Sequence, residues 1–346
     1  MRDSILLNEI QDQPAVVSRL LQNEKGKISK IVDAINGRFS YIYIAARGSS
    51  DNAARYAQYL FGIRNQIIVG LATPSIFTLY GGSPSLADAL VIGISQSGQS
   101  PDIISVIENA KSQGCPTIAI TNAPTSPLAS KAEFVINLCA GDEKAIAATK
   151  TYTSSLTALS MLSVCLSGQT NEFEQLDLLP TWLEAVVGNT ENLLSRVVRY
   201  RYMDQCCVLG RGYNYSTSFE ISLKIKEINR IAAEPYSTAD FRHGPISTIM
   251  PGFPVIVIAM PGPTYIDTMN LVSDLDKRGA ETILITSQEI PNKQPYLHFL
   301  IPEECPEWLS PILSVIPGQM FAMQLAIERG LNPDFPAGLS KVTQTY

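Results

Sequence analysis

The chain repeats itself. The segment Tyr41–Gly48 (YIYIAARG) is matched about 164 residues later by Cys206–Gly212 (CCVLGRG), and each is an apolar strand that ends in Arg-Gly and runs into a polar turn and a helical pattern. Ala89–Ile94 (ALVIGI) is matched by Pro254–Ala259 (PVIVIA). Each copy then reads as a helix closed by a glycine, Gly114 or Gly279, and resumes with a near-identical strand, Thr117–Thr121 (TIAIT) or Thr282–Thr286 (TILIT). Strands separated by helices of this length imply βαβ crossovers and parallel sheets. Continuous apolar runs, without alternation, fit strands covered on both faces. The fold class is therefore α/β, as two tandem domains of common ancestry.

The join falls near the polar Ser167–Glu172 stretch and leads into a helical segment around Trp182 to Tyr200. The boundaries read as a helical lead-in over 1–30, interrupted near Pro14 and by Gly26, a first domain over 31–170, a second over 195–330 and a tail over 331–346. Of 346 residues, 45% are hydrophobic and 17% charged, enough for two ordinary cores. A net charge of −6 argues against a broad basic nucleic-acid face, yet a local helix end can still bind a phosphorylated metabolite. No apolar run approaches membrane-spanning length on inspection, and Asp3, Asn8, Glu9 and Asp12 break any signal-peptide core. The expectation is a cytoplasmic protein with neither nucleic-acid nor membrane partners. The six cysteines show no CxxC spacing and read as reduced thiols. With only His243 and His298, a histidine-built metal site is not expected.

The copies differ where chemistry would sit. The first carries Ser95-Gln96-Ser97-Gly98-Gln99-Ser100 after its strand, with Pro101 at the start of a helix. Such a turn brings backbone N–H groups, hydroxyls and a positive helix end to one point, as a phosphate requires. The alternative is an ordinary βα turn. Its counterpart, Met260–Thr264, has lost most donors, so one phosphate site per pair is expected. The second copy supplies titratable groups: Glu220, Lys224 and Glu227 fall on one helix face. A carboxylate beside an ammonium can move a carbon-bound proton, whereas a solvated helix with i,i+4 ion pairs gives the same spacing. His243, in a Gly-Pro loop, is an acid/base candidate, and His298, in a strand pattern, reads as structural.

The Ser95–Ser100 turn, the Glu220…Lys224…Glu227 helix, Ala233-Glu234-Pro235-Tyr236…Arg242-His243-Gly244-Pro245 and the terminal Leu339-Ser340-Lys341-Val342-Thr343 form an ordered set. Together they resemble the isomerase half of glucosamine-6-phosphate synthase, a tandem pair of sugar isomerase (SIS) domains, over nearly the whole chain.

The resemblance implies that Ser95, Gln96, Ser97 and Ser100 hold the sugar phosphate and that Ser49 and Ser50 touch phosphate or sugar hydroxyls. Ile146 and Ala148 would stand on the substrate-contacting loop. Glu227 would move the proton between C1 and C2 beside Lys224, and His243 would open the pyranose ring, reaching the site of a second subunit in a homodimer. Ser340 and Lys341, on a tail suited to a lid, would meet the open-chain sugar, Lys341 by contact or Schiff base. Three positions depart from the family's pattern: Ser100 stands for a threonine, Ala148 for a serine, and Arg47 for a small residue. Residue 2 is Arg, and neither a glutaminase half nor an N-terminal nucleophilic cysteine precedes the repeat, so the expected direction is deamination. The expected activity is conversion of glucosamine 6-phosphate to fructose 6-phosphate and ammonia, without metal or organic cofactor. A fructosamine-6-phosphate deglycase and a non-catalytic sugar-phosphate sensor are the alternatives.

Overall fold

A computed structural model describes residues 4–289 and 297–341. The chain divides into two compact units, each built on one five-stranded parallel sheet. One unit holds residues 15–143 and 150–179, together with Ser340 and Lys341; the other holds the residues up to Pro14, 144–149 and 180–339.

The first sheet comprises β1 (Tyr41–Ala45), β2 (Val69–Leu71), β3 (Ala89–Ile94), β4 (Thr117–Thr121) and β5 (Phe134–Asn137), in the order β2-β1-β3-β4-β5. The second comprises β6 (Gln205–Gly210), β7 (Ala232–Ser237), β8 (Pro254–Ala259), β9 (Glu281–Thr286) and β10 (Leu297–Leu300), in the order β10-β9-β8-β6-β7. Counted from β1 and β6, the two orders are the same, as the sequence repeat requires. Register matches too: Tyr43 faces Val91 in one sheet and Cys207 faces Val255 in the other. In each sheet the order reverses between the first and third strands, and ligands of open parallel sheets settle beyond the strand ends at such a point. The loops after β1 and β3 meet there in the first unit; the loops after β6 and β8 do so in the second.

Strands β3 and β4 are buried at every position, which accounts for their unbroken apolar runs. The helix Tyr215–Asn229 packs on β6, β7 and the helix Ser310–Glu328. That last helix is 19 residues long and apolar enough to cross a membrane by length and composition, contrary to the expectation that no such run exists. Of its apolar window 89% is buried, as in the core helix of a packed domain.

The lead-in also differs from expectation. Its break falls at Asp12, between helices Ile5–Gln11 and Gln13–Ile35, while Pro14 is tolerated in the first turn of the second helix and Gly26 lies inside it. The stretch from Trp182 to Tyr200 forms a helix, Leu179–Glu191, followed by a 3₁₀ segment, Leu194–Tyr200. Val342 and Thr343 of the terminal motif lie outside the described residues.

Candidate active site

At the switch point of the first sheet, β3 delivers Ser95 into a tight turn. The Gly98 N–H donates to both the backbone oxygen and Oγ of Ser95, each at 3.2 Å. Ser95 Oγ and Ser100 Oγ stand 3.3 Å apart, and the Gln99 N–H donates to Ser97 Oγ at 3.3 Å. The Gln96 carbonyl accepts from the Asn122 N–H at 3.1 Å, which pins the loop to the end of β4. Gly98 has φ +62°, and a Cβ there would lie 2.0 Å from Ser126 Oγ, so only glycine fits. Ser100 then caps the 12-residue helix Pro101–Ser112 without its side chain bonding a first-turn N–H. The serine hydroxyls and a helix N-terminus thus converge, as an anion requires. Ser49 and Ser50 open the helix Ser49–Arg64 beside this turn, because β1 and β3 are paired neighbours. Arg47 donates from Nε to the fully buried Asp102 at 2.8 Å, joining the two loops.

Lys341 belongs to the same unit. Its Nζ donates to Glu143 Oε2 at 2.8 Å, and that buried carboxylate also accepts from Thr151 N–H at 3.1 Å and Thr151 Oγ at 2.8 Å. Sequence reasoning did not single out Glu143. The only signal for it was an acidic pair, Asp142-Glu143, ahead of the substrate loop. Ser340, next to Lys341, is exposed.

The second unit holds the remaining candidates. Ile146 and Ala148 are half-buried, while Ala145, Ala147 and Thr149 are buried, so the loop shows alternate residues outward. Buried Glu9 accepts from the Lys144 and Ala145 N–H groups, and the Ile146 N–H donates to the Asp334 carbonyl at 3.1 Å. On the helix Tyr215–Asn229 the side chains of Lys224 and Glu220 are 1% and 0% exposed. Lys224 Nζ stands 3.4 Å from Glu220 Oε1 and 2.7 Å from Glu227 Oε2, and Glu227 keeps 26% exposure. A solvated helix face is therefore excluded. Burying an ammonium costs several kcal/mol unless it is paired, and the two carboxylates offset that cost. Glu227 alone of the three remains open to a ligand.

His243 caps the short helix Thr238–Arg242 and is exposed, its backbone N–H donating to the Asp240 carbonyl at 3.0 Å. His298 lies in β10, half-buried, with its pKa lowered by burial, in keeping with a structural role. All six cysteines are unpaired. Burial raises the thiol pKa of Cys165 and of Cys207 to about 11, and pushes Cys206 and Cys305 higher still. Thiols of that kind are inert at neutral pH. Among the described residues no three His, Cys, Asp or Glu side chains gather as a metal-binding group.

Comparison with known proteins agrees with this architecture. The isomerizing glutamine–fructose-6-phosphate aminotransferase of Methanothermobacter thermautotrophicus is 31% identical over 344 residues, 98% of this chain and 57% of that protein. The chain thus spans little more than half the length of that relative. A candidate phosphosugar isomerase from Silicibacter pomeroyi DSS-3 superposes with a TM-score of 0.85 at 30% identity, covering 96% of this chain and 100% of the other. The glucosamine-6-phosphate deaminase of Thermotoga maritima shares the fold, with a TM-score of 0.75 at 22% identity, covering 99% of this chain and 100% of the other. The SIS domain model matches twice, over residues 40–165 and 202–329. With two matches covering most of its length, on two sheets of one topology, the chain belongs to the SIS domain family.

Proposed function

We propose that this chain is an enzyme of phosphosugar isomerase type, acting as a glucosamine-6-phosphate deaminase. The observation that carries the reading is the buried Lys224 ammonium between buried Glu220 and half-open Glu227. A binding protein needs the anion turn but has no use for a carboxylate set beside a dehydrated cation. An acid/base enzyme does, because a positive charge steadies the carboxylate while it gives and takes a proton.

In this reading the Ser95–Ser100 turn and the N-terminus of the helix Pro101–Ser112 hold the phosphate, with Ser49 and Ser50 at the sugar hydroxyls. His243 moves the proton that opens the pyranose ring and is supplied by a second copy of the chain. Glu227 then takes the C2 proton and returns it to C1, passing through an enolamine. The product is an imine at C2, which water hydrolyses to the ketone of fructose 6-phosphate with release of ammonia. Lys341, with its amine engaged by Glu143, serves as a hydrogen-bond donor to the open chain, since an ion-paired ammonium is no nucleophile. Support for an amino-sugar substrate comes from the Methanothermobacter relative, whose name joins fructose 6-phosphate to an amino transfer. The proton shift at C1 and C2 is common to amination and deamination.

The test is to supply glucosamine 6-phosphate and follow ammonia and fructose 6-phosphate together. Stoichiometric release of both, lost in Glu227→Gln, is expected. Binding without turnover would identify a sensor. Turnover of a fructosamine 6-phosphate alone would identify a deglycase.

A further inference from the structure

The duplication carries an ion pair with it. Arg47, just past β1, pairs with Asp102 in the first turn of the helix after β3. Arg211, just past β6, pairs with Asp267 in the first turn of the helix Tyr265–Lys277 after β8. Each pair ties together the two loops at which strand order reverses. The second pair has a third member. Arg242 Nη1 pairs with the same Asp267 carboxylate, and Arg242 Nη2 donates to the Asp267 backbone oxygen at 2.9 Å.

Arg242 ends the five-residue helix Thr238–Arg242, and the next residue is His243. A helix of one turn has no cooperative stability of its own, so its position depends on what its ends are tied to. Its start is fixed by Ser237, whose Oγ accepts from the Asp240 N–H at 3.0 Å. Its end is fixed by the two-point hold of Asp267 on Arg242. The geometry points to Asp267 as a positioning residue for His243, an inference that rests on reading His243 as the ring-opening group. The carboxylate stands between two guanidinium groups. Without it Arg211 and Arg242 would repel each other, and the Arg242-His243 turn would move away from the sheet.

The competing role is a plain strut, as Arg47–Asp102 provides in the first unit. The two roles differ in what they disturb. Side chains here are 31–39% exposed, a range in which ion pairs contribute little to stability. A positioning role, by contrast, shows in one chemical step.

The experiment compares Asp267→Asn with the unaltered protein on glucosamine 6-phosphate and on its 5-deoxy analogue, which cannot close the pyranose ring. Turnover of the cyclic substrate should fall about 10- to 100-fold, while C1/C2 proton exchange on the analogue stays within about twofold. Asp267→Glu should recover part of the loss, and Tm should move little. Equal turnover of cyclic substrate, or equal loss on both substrates, overturns the inference. His243→Ala run in parallel separates the two levels. If it opens cyclic substrate at the normal rate, the role of His243 itself fails, whereas a slow His243→Ala beside a normal Asp267→Asn refutes only the positioning role.

Discussion

Replacing Lys224 with Met keeps the length of the side chain and removes its charge. Glu220, 0% exposed and 3.4 Å from the amine, would then be a buried carboxylate deprived of its cation, while Glu227 could still turn toward water. Breaking a buried pair from one side costs about 3–5 kcal/mol, because the remaining charge stays dehydrated. For a domain of this size that lowers Tm by about 6–20 °C. The double variant Glu220→Gln, Lys224→Met removes both charges, and neutral groups of similar volume in such a place are often near neutral in effect. Thermal melts of the two singles and the double make a cycle. The double should be more stable than Lys224→Met alone, with a coupling of about 2 kcal/mol or more. Glu227→Gln should destabilise less than Lys224→Met, since Glu220 still faces the ammonium, yet should lose about 10²- to 10⁴-fold in kcat. A Lys224→Met protein that melts within 2 °C of the parent, or a double that is simply additive, would refute the claim that Lys224 is held by burial and paired charge.

Ser95→Ala with Ser97→Ala should raise KM for a sugar phosphate far more than it lowers kcat. Each lost bond to a charged group corresponds to about 1.5–3 kcal/mol, or about 10- to 150-fold, and an unchanged KM would place the phosphate elsewhere. Gly98→Ala should destabilise the fold and abolish phosphate binding together, because its φ of +62° and the 2.0 Å approach to Ser126 Oγ both exclude a side chain; a protein of normal Tm and KM would contradict this. His298, whose pKa burial lowers, binds fewer protons folded than unfolded. Stability should therefore rise with pH through the window from its folded pKa up to the ordinary histidine value and level off above it, and His298→Phe should flatten that slope in urea melts taken across the window.

Much of the architecture was legible because it is written twice. Six strands, three in each copy, lie in the apolar runs that the repeat pairs, and β10 lies in the strand pattern around His298. β2, β5 and β7 escaped for a physical reason. All three are edge strands. β2 is three residues long, and β7 contains Pro235 and exposed Glu234, features an edge accepts and a central strand does not. At the site, spacing placed Glu220, Lys224 and Glu227 on one face. Spacing could not say that this face is buried, which depends on packing against β6, β7 and a helix about 90 residues away. Glu143 and Asp267 were missed because their partners, Lys341 and Arg242, are fixed only by the tertiary fold.

The helix Ser310–Glu328 meets the helix Tyr215–Asn229 at Gly318, where a Cβ would lie 2.3 Å from Ile221 Cγ1. Ile221 is flanked by Glu220 on one side and, three residues on, by Lys224. The spacing of the helix that carries Glu220, Lys224 and Glu227 is therefore set in part by a position that contributes no side chain. One methyl group there would press into the Ile221 side chain, which would have to move for the two helices to keep their spacing. A glycine about a hundred residues further along the chain thus helps to set where Glu220, Lys224 and Glu227 stand.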